Sequence, residues 1–141
     1  MQLVDKKTLC GLIPHAGDMC LLDAVVHWDE DSIHCLGRSH RDSNNPLRTE
    51  QGLAAINGVE YGAQAMAVHG GLLAGGQVPP GYLASVRHVV VTVSALDKIK
   101  SDLHIRAYRL SAENGNFMYT FTIETENGEP ILSARALVAA L

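Results

Sequence analysis

Residues 51–73 read QGLAAINGVEYGAQAMAVHGGLL, and the reading of this stretch decides the fold. Leu53, Ile56, Val59, Ala63, Met66 and Ala67 recur at spacings of three and four, the period of an α-helix. The pattern predicts one long helix over 51–73, ended by Gly70, Gly71, Gly75 and Gly76. Small residues crowd it: Ala54, Ala55, Gly58, Gly62 and Ala65 lie inside. Each internal glycine costs about 1 kcal/mol relative to alanine, so tertiary packing must hold this helix together. Close approach of another backbone would do so, and a curved sheet wrapped around a single helix is the simplest such packing.

The flanking sequence supplies that sheet. After Pro79, Pro80 and Gly81, residues 82–93, 103–110, 117–125 and 130–139 are rich in β-branched, aromatic and alternating residues, and Asn127-Gly128 suits a hairpin turn. Upstream, residues 19–26 and 32–37 read as two strands parted by Asp29, Glu30 and Asp31. Residues 8–13 read as a helical turn stopped by Pro14, with a loop over 14–18. Residues 39–50, polar and containing Asn44, Asn45 and Pro46, read as an irregular surface loop. Two strands, a helix and four strands make one α+β domain over 1–141, a mixed or antiparallel sheet on a central helix. One helix cannot cover every edge of such a sheet, so at least a dimer is expected.

Composition sets bounds on function. A globular chain of 141 residues removes about 68% of its unfolded surface on folding, so it needs neither disulfides nor a metal as scaffolding. Cys10, Cys20 and Cys35 are odd in number and widely spaced, which fits a reducing, cytoplasmic setting better than a disulfide framework. Residues 1–7 carry no signal-like apolar run, and no stretch is long enough to cross a bilayer. The net charge of −4 provides no basic field for nucleic acid; Arg38, Arg41 and Arg48 read as a solvated loop face. Serine-hydrolase elbow, phosphate loop, HExxH and dinucleotide fingerprints are missing from the sequence. His34 and Cys35 are adjacent on a strand and point to opposite faces, which argues against a shared metal. No metal and no cofactor are expected.

Glu60 stands out within the small-residue helix. On the stripe with Ile56 and Ala63 it would be partly buried, and burial raises a carboxyl pKa toward that of a general acid. The alternative is an exposed carboxylate at the edge of the apolar face. Gln64, one turn on, shares its face and could bond Glu60 or a ligand. His69 lies nine residues from Glu60, half a turn out of phase, so the two form no dyad. His27, His34, His88 and His104 fall in predicted strands and read as structural.

Two segments carry a family resemblance. Residues 59–64, VEYGAQ, resemble the carboxylate and Ala-Gln pattern on the central helix of bacterial 3-hydroxyacyl-acyl-carrier-protein dehydratases. Residues 12–23, LIPHAGDMCLLD, resemble that family's Pro-His loop leading to a Leu-Leu-x-Asp strand. The resemblance implies a dimeric hot-dog fold and dehydration of a 3-hydroxyacyl thioester on acyl carrier protein or coenzyme A, in fatty acid or polyene synthesis. It implies His15 as the base, Glu60 from the partner protomer as the acid, and Tyr82 as a tunnel-gating tyrosine. Amides near Gly52, at the expected start of the helix, would polarise the thioester carbonyl.

There is one departure from the family pattern. The family carries its histidine fourteen positions before the helix carboxylate, where this chain has Pro46; His40 could serve only if the loop folded back. The pattern most resembles a divergent subgroup associated with aryl polyene pigments, some of whose members pair with a second hot-dog subunit. The expected assembly is a homodimer or a heterodimer with such a subunit, with no nucleic-acid or membrane partner. A hot-dog acyl thioesterase and a non-catalytic partner subunit are the alternative readings.

Overall fold

A computed structural model describes residues 3–13, 19–76 and 81–140 of the chain. A short helix α1 (Lys6–Cys10) precedes strands β1 (Ala24–Trp28) and β2 (Ser32–Gly37), the long helix α2 (Gly58–Ala74), and strands β3 (Gly81–Val91), β4 (Leu103–Glu113), β5 (Asn116–Glu124) and β6 (Pro130–Ala140). The six strands form one antiparallel sheet in the order β1-β2-β4-β5-β6-β3. Alternation decides which face is core: Ile33 and Cys35 on β2, Leu103, Ile105 and Ala107 on β4, and Phe121 and Ile123 on β5 point inward and are buried. Against that face lies α2, packed on β2, β4 and β5. The arrangement is the hot-dog fold.

The glycines of α2 permit this approach. A Cβ on Gly62 would stand 2.4 Å from the Phe121 ring, and one on Gly58 would stand 2.9 Å from Ile123 Cδ1. The helix runs through Gly70 and Gly71 and ends at Gly75, whose φ of 78° accommodates a left-handed cap, with the Gly76 N–H donating to Gly71 O at 2.9 Å.

Three expectations need correction. The helix does not begin at Gln51. Residues 53–54 are held beside the segment 94–97 instead: Leu53 N donates to Asp97 Oδ1 at 2.9 Å, Leu96 N to Leu53 O at 2.8 Å, and Ala55 N to Ser94 O at 3.0 Å. A 3₁₀ turn (Ala55–Asn57) then leads into α2. Strand β1 starts at Ala24, not at Met19, because Gln64 of α2 ties up the backbone of Met19 and Leu21 before it. Last, Cys10 and Cys20 form a disulfide that joins the end of α1 to the approach to β1, leaving Cys35 as a buried free thiol. Short-range spacing gave no hint of that pairing.

The turns follow glycine chemistry. Asn114 and Gly115, with φ of 54° and 80°, close the β4–β5 hairpin as a two-residue loop. In the expected turn at 127–128, Gly128 takes the positive φ of 82°, and its N–H donates to Thr125 O at 2.9 Å. The sheet edges differ. Edge β1 is partly capped by a two-bond bridge from Val4 to Val25, whereas β3, at the other end, leaves Leu83, Val89, Val90 and Val91 exposed. A register shift in the β3–β6 pairing lies at His88, which has a φ of 56°.

Candidate active site

Helix α2 has two unlike sides. Tyr61, Gly62, Ala65, Val68 and His69 are buried against the sheet, while Ile56 in the preceding turn and Glu60, both exposed, and Ala63, Ala67 and Gly70, half-buried, follow one another at helical spacing along a side the chain leaves partly open. Glu60, the acidic residue of the first turn, is exposed there, and Ile56 is 54% exposed. The burial foreseen for Glu60 is therefore not supplied by this chain's own residues. Its stripe is apolar apart from the carboxylate itself, a composition suited to coverage by another protomer.

Gln64 is placed differently from expectation. It is buried, with Oε1 accepting from Leu21 N at 2.8 Å and Nε2 donating to Met19 O at 2.6 Å. Each end of the amide bonds backbone, so Gln64 positions the segment entering β1. That segment follows residues 14–18 directly. His15 lies outside the described residues.

Gly52 also departs from its expected role. Its N–H donates to Thr49 O at 2.9 Å, and it precedes α2 by six residues, so its amide is not a free donor at the helix start. A φ of 101° and the Asp97 carboxylate, 2.7 Å from where a Cβ would stand, explain why glycine occupies the position. Tyr82 lies in β3 opposite Ala139.

His40, the other candidate base, turns into the interior of this chain. It is fully buried, with Nε2 between Ile99 O at 3.1 Å and Ser101 O at 3.0 Å, so it ties the 3₁₀ turn Ser39–Arg41 to the loop before β4. Burial, more than any other influence, holds its pKa below the usual histidine range, and Nδ1 has no partner among the described residues. Pro46 sits exposed at the rim of a cleft of about 550 Å³ that also involves Cys20, Ser39 and Asn45. His40 does not line it.

Sequence reasoning missed the network beneath that cleft. Ser39 Oγ donates to Leu21 O at 2.7 Å and so accepts from the Tyr61 hydroxyl at 2.7 Å, while Asn45 Nδ2 donates to Tyr61 Oη at 3.1 Å and to Ser39 O at 2.9 Å. A tyrosine inside a run of alanine and glycine was the available signal, since its buried hydroxyl needs partners. His69 is likewise structural: buried, it donates from Nε2 to Asp29 O at 2.8 Å and accepts the Tyr119 hydroxyl on Nδ1 at 2.6 Å. His34 and His104 meet at 2.8 Å on the outer face of the sheet, with Glu126 2.8 Å beyond. Arg38 and Arg41 share Asp102, and Arg48 faces Asp97, so the loop arginines are paired with carboxylates.

Comparison with known proteins agrees with this geometry. The family model described as ApeP-like, ApeP dehydratase, matches residues 8–140. The dehydratase heterocomplex ApeI:P from Xenorhabdus doucetiae superposes with a TM-score of 0.85 at 23% identity, covering 95% of this chain and 91% of that one. The PaaI protein of E. coli, from its phenylacetic acid degradation operon, superposes at 0.61 with 8% identity, covering 82% and 80%. A mutant of the thioesterase SAV0944 of Staphylococcus aureus gives 0.61 at 12% identity, covering 82% and 89%. No curated protein matches the chain in sequence. A hot-dog fold whose family-specific match runs from α1 to the last strand leaves one assignment: the chain belongs to the ApeP-like dehydratase family.

Proposed function

We propose that the chain is a subunit of a dehydratase that converts a 3-hydroxyacyl thioester, carried by acyl carrier protein or coenzyme A, into the 2-enoyl thioester. The observation that carries this reading is Glu60, an acid placed by the family pattern on the side of α2 that its own sheet leaves uncovered. Covered by a second hot-dog subunit, that carboxyl loses water contact and becomes a general acid. Neutral His15 removes the C2 proton; protonated Glu60 donates to the departing C3 hydroxyl, which leaves as water. The proton taken by His15 then restores Glu60 through solvent. Gln64 holds residues 19–21 and with them one end of the His15 segment. Tyr82 is assigned the role of limiting acyl length. The setting is the cytoplasm, and the substrates are those of aryl polyene or fatty acid synthesis.

Pro46 favours one second reading, in which the chain activates a catalytic hot-dog partner without performing the chemistry. Incubation with a 3-hydroxyacyl thioester separates the readings. An enoyl product from the isolated chain supports catalysis, whereas an enoyl product only after adding a second hot-dog chain supports the partner role. Free thiol without enoyl product identifies a thioesterase. Glu60→Gln and His15→Ala are each expected to lower turnover by about 10² to 10⁴, and the double variant is expected to be little worse than either. His40→Ala is the control, measured per mole of folded protein because it removes a buried tether. If Glu60→Gln keeps full turnover, the proposal fails; if His40→Ala abolishes it and His15→Ala does not, the base is misassigned.

A further inference from the structure

We propose that Arg87 and Arg135 make the open edge of β3 selective for a hot-dog subunit unlike this chain, one whose facing strand carries carboxylates on the outer side of the sheet. The functional reading above supplies only the class of partner, a second hot-dog subunit; the charge selection stands on the sheet itself.

Strand pairing puts Arg87 of β3 directly opposite Arg135 of β6. The side they share is the outer one. Arg135 is exposed between Ala134 and Ala136, which are buried, and Arg87 is exposed beside Val86, which packs on the core. Side chains directly opposite lie about 4.5–5.5 Å apart at Cβ, and like charges there destabilise a sheet. Neither guanidinium has an ion pair or a side-chain hydrogen bond among the described residues. The next strand inward offers Thr120 opposite Arg135. Residues 77–96, which contain all of β3, hold no aspartate or glutamate, and β6 holds none either. Elsewhere the chain pairs its arginines: Arg106 with Glu124, Arg41 with Asp102, Arg48 with Asp97. With 15 acidic residues against 11 lysines and arginines, it has an excess of carboxylates and places none here.

A charge on an edge strand commonly guards against unwanted pairing. That role accounts for Arg87 but not for Arg135, which lies one strand in from the edge. The edge is otherwise built to be covered, with Leu83, Val89, Val90 and Val91 exposed, while the opposite edge is partly closed by the bridge from Val4 to Val25. Pairing with a second copy would cover the valines and add to the repulsion. About a two-fold axis the facing strand is β3 again, so no register within the strand brings an acid opposite Arg87. With the two copies of Gly81–Val91 fully overlapped, Arg87 faces Ser85 of the other copy, and both arginine pairs gather about the axis. A different subunit with carboxylates on that side turns the same repulsion into attraction.

The test reads association, not turnover. Sedimentation velocity in graded sodium chloride measures self-association of the full chain beside that of an Arg87→Gln/Arg135→Gln variant. Self-association of the unaltered chain is expected to tighten as salt screens the repulsion. At low salt the glutamine variant is expected to self-associate about tenfold more tightly, the scale of a few exposed charge contacts. A copy with reversed charge, Arg87→Glu/Arg135→Glu, then stands in for the partner and is mixed in equal amount with differently tagged unaltered chain. Mixed pairs are expected to exceed the half that random pairing gives, and high salt to remove the excess. All these substitutions fall on exposed side chains, and a cooperative melt checks each variant; should the glutamate variant not fold, the salt response and the glutamine variant decide. Self-association no tighter in the glutamine variant than in the unaltered chain at low salt, or mixed pairs at the random half, overturns the charge selection. Absence of dehydration in the assay above defeats the functional reading and leaves these outcomes unaffected.

Discussion

His40 and Gln64 are polar side chains buried in loops and helix for the sake of backbone groups far away in sequence, one holding residues 99 and 101, the other residues 19 and 21. Neither role has a local signature, because a histidine or glutamine reads the same whether its partner is a substrate or a carbonyl sixty residues on. Burial of His40 and His69, and partial burial of His34, have a measurable consequence. Each is held below the ordinary histidine pKa chiefly by desolvation, His34 at about 4. Each therefore binds its proton more readily unfolded than folded, so acid favours the unfolded chain. The stability they support is complete above the unfolded histidine pKa of about 6.5 and is lost as the pH falls toward about 4. Melting temperature is expected to drop across that window, ahead of carboxylate protonation. A flat profile between pH 7 and pH 4.5 would contradict the assignment of these histidines as neutral, desolvated groups.

Among the elements, α2 is where local propensity and tertiary demand pull apart. Its apolar period was legible because the core face repeats every turn; its first residues were not, because the bridge between Ala54 and Ala95 competes for the same backbone groups. The glycines of the helix separate the two demands. Gly62→Ala drives a Cβ to 2.4 Å from the Phe121 ring, which is itself fully buried and has nowhere to move. The expected loss is about 1–3 kcal/mol, the usual cost of overpacking a core. Gly70 meets nothing within 4 Å, so Gly70→Ala is expected to gain about 0.5–1 kcal/mol by reduced backbone entropy. Urea unfolding of the two variants side by side measures both; equal effects would mean that helix propensity, not sheet contact, governs the glycines.

At the scale of the molecule, the open side of α2 and the exposed valines of edge β3 are unfinished surfaces in one chain. An unpaired, apolar edge strand invites another strand, and evolution usually removes such an edge unless a partner uses it. The protein is therefore expected to sediment at least as a dimer, alone or with a second hot-dog chain. Val90→Lys, placed on that edge at a residue 55% exposed, is expected to shift the mass toward the monomer. A monomeric mass for the unaltered protein at micromolar concentration, with or without a hot-dog partner, would overturn this reading.

Periodicity, turn chemistry and the run of small residues were enough, taken from the sequence by itself, to determine one long helix, six strands and a single α+β layer pair, while Glu60 was singled out as the candidate acid only with the family resemblance beside them. They suffice because each is a short-range property: alternation chooses the buried face of a strand, and glycine records how closely another backbone must approach. Only the tertiary structure decided that Gln64 and His40 bond the backbone, that the Gly52 amide closes a turn onto Thr49 O, that Cys10 meets Cys20, and that Glu60 faces outward. Those outcomes depend on which distant groups reach one another once the sheet has closed around the helix, and residue spacing along the chain does not encode that distance.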